Sequence, residues 1–139
     1  MRWGDCDPAG VVYTARFTDY VLEAFHDFLG WLIGTPLQAR LAELDFGTPA
    51  KSLQFVFLRS LYPDDEIALE MRVADLRARS FDLAITALGA EDVPIFHARI
   101  GVVCVHHAVR QSRAIPPELK ERLLVYRNAC SEADVNVAA

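Results

Sequence analysis

Residue types suited to catalysis are concentrated near the start of the chain, where residues 4–13 run Gly-Asp-Cys-Asp-Pro-Ala-Gly-Val-Val-Tyr. Asp5 and Asp7 stand close to Pro8 and Gly10, directly before a helical pattern, so a turn should bring an acid to the helix N-terminus. Asp is common in turns that have no catalytic role, and the residue types alone favour this structural interpretation. The catalytic alternative has a mechanism, because free N–H groups at a helix start stabilise an oxyanion while a carboxylate attacks or activates water.

A second candidate cluster is basic and consists of Arg77 and Arg79, with Ser80 beside them. On an extended segment, side chains two residues apart project from the same face. Two guanidinium groups placed in this way suit a phosphate, which they can grip through paired, charge-assisted hydrogen bonds. An ordinary solvated hairpin is the alternative, and the pattern alone favours it.

The metal-ligating residue types do not form a convincing site. Cys104, His106 and His107 are close in sequence, but no fourth ligand is spaced to complete the coordination. Glu23 and His26 share one face of the first helical pattern, where such groups are commonly surface contacts. We therefore expect neither a metal nor a bound cofactor.

The acidic segment must be positioned by the helix that follows it. From residue 17 to residue 33, apolar side chains recur at spacings of three and four: Phe17, Tyr20, Val21, Ala24, Phe28, Trp31 and Leu32. This wide stripe predicts a largely buried helix. Gly34 tolerates a left-handed cap and Pro36 cannot continue a helix, so the helix should end there. A short second helix is expected over residues 38–44.

After Thr48 the apolar period changes to two, which is typical of strands. The alternating runs are residues 53–58, 67–73, 81–85 and 96–104, joined by connections short enough for antiparallel hairpins. A helix followed by four strands predicts an α+β fold with the helix on one face of an antiparallel sheet. Val56, Leu58, Val103 and Val105 add apolar groups to the second face, which indicates that another copy covers part of it.

Length and composition indicate one globular domain. The chain has 139 residues, 53% of them hydrophobic, and we place the domain at residues 1–127. Pro116 and Pro117 open a short C-terminal helix that reaches about Arg127, and residues 128–139 are expected to form a flexible tail. A net charge of −5 without a basic run argues against nucleic acid, and charges within residues 17–33 argue against a membrane span. Unpaired cysteines and an acidic N-terminus favour the cytoplasm.

Residues 4–13 closely resemble the signature D-x-D-x-x-G-[IV]-V-[YW] of the 4-hydroxybenzoyl-CoA thioesterase family of hot-dog-fold proteins. Further matches extend to about Pro117: Glu23-Ala24, Gly47-Thr48-Pro49, Pro63-Asp64-Asp65-Glu66 and Arg77-Ala78-Arg79-Ser80-Phe81. The resemblance implies a hot-dog fold, in which a five-stranded antiparallel sheet wraps a long central helix. It also implies a homodimer or homotetramer with active sites at an interface between copies.

The resemblance assigns roles to individual residues. It makes Asp7 the catalytic carboxylate and the Thr14 backbone N–H the group that polarises the thioester carbonyl, with Tyr13 at the substrate. Glu23 is the reserve carboxylate, because other hot-dog thioesterases use an acid on the central helix. Many relatives carry a His directly after the tyrosine, where this chain has Thr14, so any role of that His is absent here.

The resemblance also places coenzyme A. Arg77, Arg79 and Ser80 meet its phosphates, and Thr48 lines the acyl and pantetheine region. The 4-hydroxybenzoyl-CoA enzymes have consecutive basic residues where this chain has Ala78, which weakens the expected nucleotide contact.

Hydrolysis of an acyl- or aryl-CoA thioester to the free acid and coenzyme A is therefore the predicted activity. Asp7 would act as nucleophile or as general base. Two alternatives remain open at this point: a hot-dog hydratase or dehydratase, which usually needs an Asp and a His, and a non-catalytic binder of acyl thioesters.

Overall fold

The computed structural model describes the backbone of residues 16–138 and the side chains of residues 16–131. In chain order the elements are α1 (Arg16–Ile33), α2 (Leu37–Glu43), β1 (Ala50–Phe57), β2 (Ala68–Leu76), β3 (Ser80–Leu88), β4 (Pro94–Val103) and α3 (Pro117–Ala138). A single 3-10 turn at Ala90–Asp92 joins β3 to β4. The predicted order of helices and strands is confirmed.

The first helix, α1, forms as its apolar spacing predicts, except that Trp31 of the predicted stripe is 69% exposed. Its buried side chains fall on one stripe: Phe17, Val21, Phe25, Phe28, Leu29, Leu32 and Ile33. Ring centroids lie 5.1 Å apart between Phe17 and Phe96 and 6.4 Å apart between Phe25 and Phe81, so α1 packs against the sheet. The helix ends as predicted at Gly34, which has a φ of 105° and donates its N–H to the Gly30 oxygen over 2.8 Å.

The described strands form one antiparallel sheet in the order β1-β4-β3-β2, which confirms the α+β class. The central strand β3 alternates as predicted, with Phe81, Leu83, Ile85 and Ala87 buried against the helices. β1 and β2 are the two edges of this four-stranded sheet. The additional first strand implied by the resemblance would precede the acidic segment, so it lies outside the described residues.

The C-terminal helix α3 is longer than the sequence pattern predicts. It runs from Pro117 to Ala138, past the end expected near Arg127, and Leu119 and Leu123 are fully buried in the core. No Gly or Pro stands between Glu118 and Ala138, so neither of these two stop signals interrupts the helix. Among the helices of residues 16–138, none combines the length and apolar character needed to span a bilayer.

Candidate functional site

The predicted catalytic residues Asp7, Tyr13 and Thr14 fall within residues 1–15, outside the described part of the chain. Their roles therefore stay predictions. What the structure does describe is the helix directly after them, since α1 begins at Arg16. The reserve carboxylate, Glu23, is exposed on α1.

Four phenylalanine rings meet at the first turn of α1 and form what we call the aromatic cluster: Phe17, Phe55, Phe57 and Phe96. Phe17 lies edge-on to Phe57 and to Phe96, with 5.1 Å between ring centroids in each pair. Phe55 and Phe57 stack with their planes 5° apart. Phe17 and Phe96 are buried, whereas Phe57 is 43% exposed. An accessible aromatic surface thus lies beside the helix start, where flat rings can stack.

Sequence reasoning missed this cluster although a signal for it was present. Phe55 and Phe57 are two residues apart on a strand, so their side chains share one face. The contact of that face with Phe17 depends on how α1 crosses the sheet, which strand periodicity does not reveal.

Exposed apolar side chains at the end of β1 and directly after it form what we call the β1 edge patch: Val56, Phe57 and Leu58, with Phe57 on the opposite face from the other two. Their exposed fractions are 60%, 43% and 48%. The predicted apolar groups on the second face therefore include the exposed Val56 and Leu58, whereas Val103 and Val105 are half-buried. An edge strand with such side chains presents unpaired backbone groups and apolar surface together.

The segment from Arg77 to Ser80 is a tight turn between β2 and β3. The hairpin alternative is therefore confirmed, and the expectation of an extended segment with both arginines on one face is wrong. The Arg77 N–H donates to the Ser80 oxygen over 2.9 Å, and Leu76 pairs with Phe81. In such a turn, side chains two residues apart no longer share a face. The two arginines accordingly enter different networks.

Arg77 is held by acidic partners. It donates from Nε to Ser80 Oγ over 2.8 Å and from Nη2 to Asp82 Oδ1 over 2.5 Å. Arg99 donates to the other carboxylate oxygen of Asp82, with an Nη2 distance of 2.9 Å, and also pairs with Asp75. Burial alone would raise the pKa of Asp82, but hydrogen bonds from Arg77 and Arg99 outweigh burial and lower it. The charge of Arg77 is thus compensated within the sheet.

Arg79 points away from that network. Its Nη1 donates to Ser112 Oγ over 3.0 Å and to the Ser112 backbone oxygen over 3.3 Å. Among the described residues its guanidinium contacts no carboxylate, so its positive charge stays uncompensated there. Arg79 is exposed, which leaves this charge accessible to a ligand.

Thr48 is half-buried and lies at the same end of the sheet as Arg79. Its neighbour Gly47 exchanges backbone hydrogen bonds of 2.9 and 3.0 Å with Val105, and the adjacent Cys104 N–H donates to the Arg79 oxygen. The aromatic cluster lies at the opposite end, because Phe96 pairs with Ala87 near the end of β3. The seven-residue rise along β3 separates the two ends by about 23 Å.

Near Cys104, hydrogen bonds from His106 and His107 to Asp45 link two loops. His106 Nδ1 lies 2.8 Å from Asp45 Oδ2, and the His107 N–H donates to Asp45 Oδ1. These hydrogen bonds, that of His106 first, lower the pKa of Asp45. Within residues 16–131, no three His, Cys, Asp or Glu side chains gather closely enough to hold a metal ion.

A family model described as the thioesterase-like superfamily matches residues 1–123. The chain belongs to the thioesterase-like superfamily. The resemblance to a thioesterase family and the prediction of an enzyme that hydrolyses thioesters are confirmed by this match and by the names of the relatives below.

Curated relatives of this chain include two proteins named 1,4-dihydroxy-2-naphthoyl-CoA hydrolase. The protein from Acaryochloris marina is 31% identical over 121 residues, which cover 86% of this chain and 88% of the relative. The protein from Thermosynechococcus vestitus is 28% identical and matches 86% of this chain and 81% of its own length.

Solved structures share the fold of this superfamily member. A Staphylococcus aureus protein in complex with CoA has a TM-score of 0.85 at 12% identity, covering 92% of this chain and 80% of that one. A mutant 4-hydroxybenzoyl-CoA thioesterase complexed with 4-hydroxybenzoyl-CoA has a TM-score of 0.78 at 22% identity, covering 88% and 93%. The hot-dog thioesterase fold is therefore confirmed.

Proposed function

We propose that this enzyme hydrolyses an aryl-CoA thioester to the free aromatic acid and coenzyme A. The observation that carries the proposal is the aromatic cluster at the first turn of α1, directly after the acidic segment. Its half-exposed ring, Phe57, presents a face to which a flat acyl group can bind. The names of the two curated relatives, both hydrolases of a bicyclic aryl-CoA, support the same substrate class.

In the proposed reaction, Asp7 acts on the thioester carbonyl and the N-terminus of α1 stabilises the oxyanion. The Asp7 carboxylate either attacks the carbonyl carbon, expels the thiolate and leaves a mixed anhydride that water opens, or it takes a proton from the attacking water. The Thr14 N–H, with its neighbours at the helix start, donates to the developing oxyanion. The thiolate of coenzyme A is a good leaving group, so the site needs no strong general acid.

Coenzyme A is proposed to extend from this site towards the opposite end of the sheet. Arg79 is the main phosphate contact, because its charge is accessible and has no acidic partner among the described residues. Thr48 lies at the same end, next to the pantetheine arm in this proposal. Arg77 and Ser80 contribute less, since each is already engaged in the turn.

A second copy of the chain is proposed to pair along β1. Pairing there would cover the β1 edge patch and satisfy the outward backbone groups of the edge strand. It would also bring Phe57, the exposed ring of the aromatic cluster, next to the other copy. A homodimer is thus the smallest assembly that completes the proposed site.

The test is a thiol-release assay of the purified protein with aryl-CoA and aliphatic acyl-CoA thioesters of similar size. We expect kcat/KM for the aryl thioesters to exceed that for the aliphatic ones by about twofold to tenfold, since an aromatic pair with Phe57 adds about 0.5–1.5 kcal/mol beyond burial. Phe57→Leu should reduce this preference and keep the aliphatic rate. Coenzyme A binding without thiol release would instead support a non-catalytic binder.

A further inference from the structure

We infer that Ser112 is a positioning residue that holds the Arg79 guanidinium ready for a phosphate of coenzyme A. This inference rests on the proposed function, because it takes coenzyme A as the ligand of Arg79. Nothing in the sequence around Ser112 marks it for this role, since it lies 33 positions from Arg79 in a loop after β4.

The backbone fixes the two residues next to each other. The Cys104 N–H donates to the Arg79 oxygen over 2.8 Å, and the Arg113 N–H donates to the Cys104 oxygen over 2.9 Å. Ser112 itself forms an isolated antiparallel bridge with Val105. The segment at residues 104–105 therefore binds the turn that carries Arg79 on one side and the loop that carries Ser112 on the other.

Ser112 uses two oxygen atoms on the same nitrogen of Arg79. Its Oγ and its backbone oxygen lie 3.0 and 3.3 Å from Nη1. A guanidinium has five N–H donors in a rigid fork, so anchoring Nη1 orients the other nitrogens as well. Nε and Nη2 of Arg79 make no hydrogen bond to the described residues and stay available for a bidentate anion.

The neutral character of Ser112 is essential to this role. A carboxylate partner would orient Arg79 equally well but would compensate its charge, as Asp82 does for Arg77 over 2.5 Å. A hydroxyl and a carbonyl oxygen restrict the guanidinium without this competition. The chain has a net charge of −5, which repels a polyanionic nucleotide. An oriented arginine whose charge is not compensated offsets this repulsion locally and favours nucleotide binding.

The experiment compares Ser112→Ala with wild type in steady-state hydrolysis of an aryl-CoA. The substitution removes Oγ and keeps the backbone oxygen, so we expect KM to rise about threefold to tenfold with kcat unchanged. Ser112→Thr keeps the hydroxyl and should retain the wild-type KM. Ser131→Ala, the same change at an exposed serine on α3, should have no effect.

Two further measurements separate positioning from general damage. With a pantetheine thioester that lacks the nucleotide, Ser112→Ala should match wild type. In an Arg79→Ala background, Ser112→Ala should raise KM no further, because its effect acts through Arg79. An unchanged KM in Ser112→Ala, an equal loss with the pantetheine thioester, or full additivity with Arg79→Ala would each overturn the inference.

Calorimetric titration with coenzyme A alone distinguishes this inference from the proposed function. If wild type hydrolyses no acyl-CoA yet binds coenzyme A, the proposed function fails, and weaker binding by Ser112→Ala still supports the inference. If wild type hydrolyses aryl-CoA and Ser112→Ala binds coenzyme A as tightly as wild type, the inference alone fails. A wild-type protein that neither binds coenzyme A nor hydrolyses its esters overturns both.

Discussion

Replacing Val56 by lysine tests the proposed pairing along β1. Val56 and Leu58, which share one face, are 60% and 48% exposed, so each leaves about half of its side chain to be covered. Full burial of such a side chain stabilises by about 1.5–3 kcal/mol, so half corresponds to about 1 kcal/mol for each residue. Symmetry counts each residue twice, which gives about 4 kcal/mol before the costs of association.

Val56→Lys removes about 2 kcal/mol of this total, one share from each copy, and brings two ammonium groups towards each other. We therefore expect the dimer dissociation constant to rise by about 30-fold to 100-fold. Sedimentation velocity over a concentration series measures this constant. Val109→Lys is the matched control, because Val109 is 53% exposed but lies in the loop after β4.

Because the site is proposed to need both copies, kcat/KM per chain should fall as Val56→Lys is diluted and its dimer dissociates. A wild-type protein that sediments as a monomer of 15.5 kDa would refute the reasoning. So would a Val56→Lys variant that dimerises as strongly as Val109→Lys.

Two further predictions concern the core. The Tyr126 hydroxyl donates to the Met71 backbone oxygen, so Tyr126→Phe should lower the free energy of unfolding by about 1 kcal/mol, whereas the same change at exposed Tyr62 should cost under about 0.5 kcal/mol. Urea unfolding measures both, and equal losses would contradict the role of this hydrogen bond. Burial raises the pKa of the Cys104 thiol from 9.0 to about 11. Between these two pH values the unfolded chain has lost the thiol proton and the folded chain has kept it, so the free energy of unfolding should decrease as the pH rises from 9.0 to about 11. Urea unfolding across that window checks the slope, which should be shallower in Cys104→Ala; an identical slope would contradict this prediction.

The periodicity of apolar residues predicted most of the fold, because a helix or strand that buries one face must carry apolar side chains at a regular spacing. The stripe from Phe17 to Ile33 predicted α1, and the alternation of Phe81, Leu83 and Ile85 predicted β3. Gly34 predicted the end of α1 for a local reason, the positive φ that glycine tolerates. Such features depend on a few neighbouring residues, which a sequence displays directly.

The parts that sequence reasoning missed depend on distant residues. The pattern favoured a hairpin at residues 77–80, but the contacts that separate the side chains of Arg77 and Arg79 follow from the register that pairs Leu76 with Phe81. The partner of Arg79, Ser112, is brought in by a loop on the far side of β4. Neither spacing nor residue type indicates such contacts, because they arise only when the strands are assembled.

The central claim, hydrolysis of a coenzyme A thioester by Asp7, is tested most directly by thiol release from an aryl-CoA in wild type, Asp7→Asn and Asp5→Asn. Asparagine keeps the size of the side chain and removes the charge that attacks or activates water. We expect kcat for Asp7→Asn to fall at least about 100-fold, with the circular dichroism spectrum unchanged and Asp5→Asn much less affected. Near wild-type turnover in Asp7→Asn, or equal losses in the two variants, would contradict the assignment and make Glu23 the next carboxylate to replace.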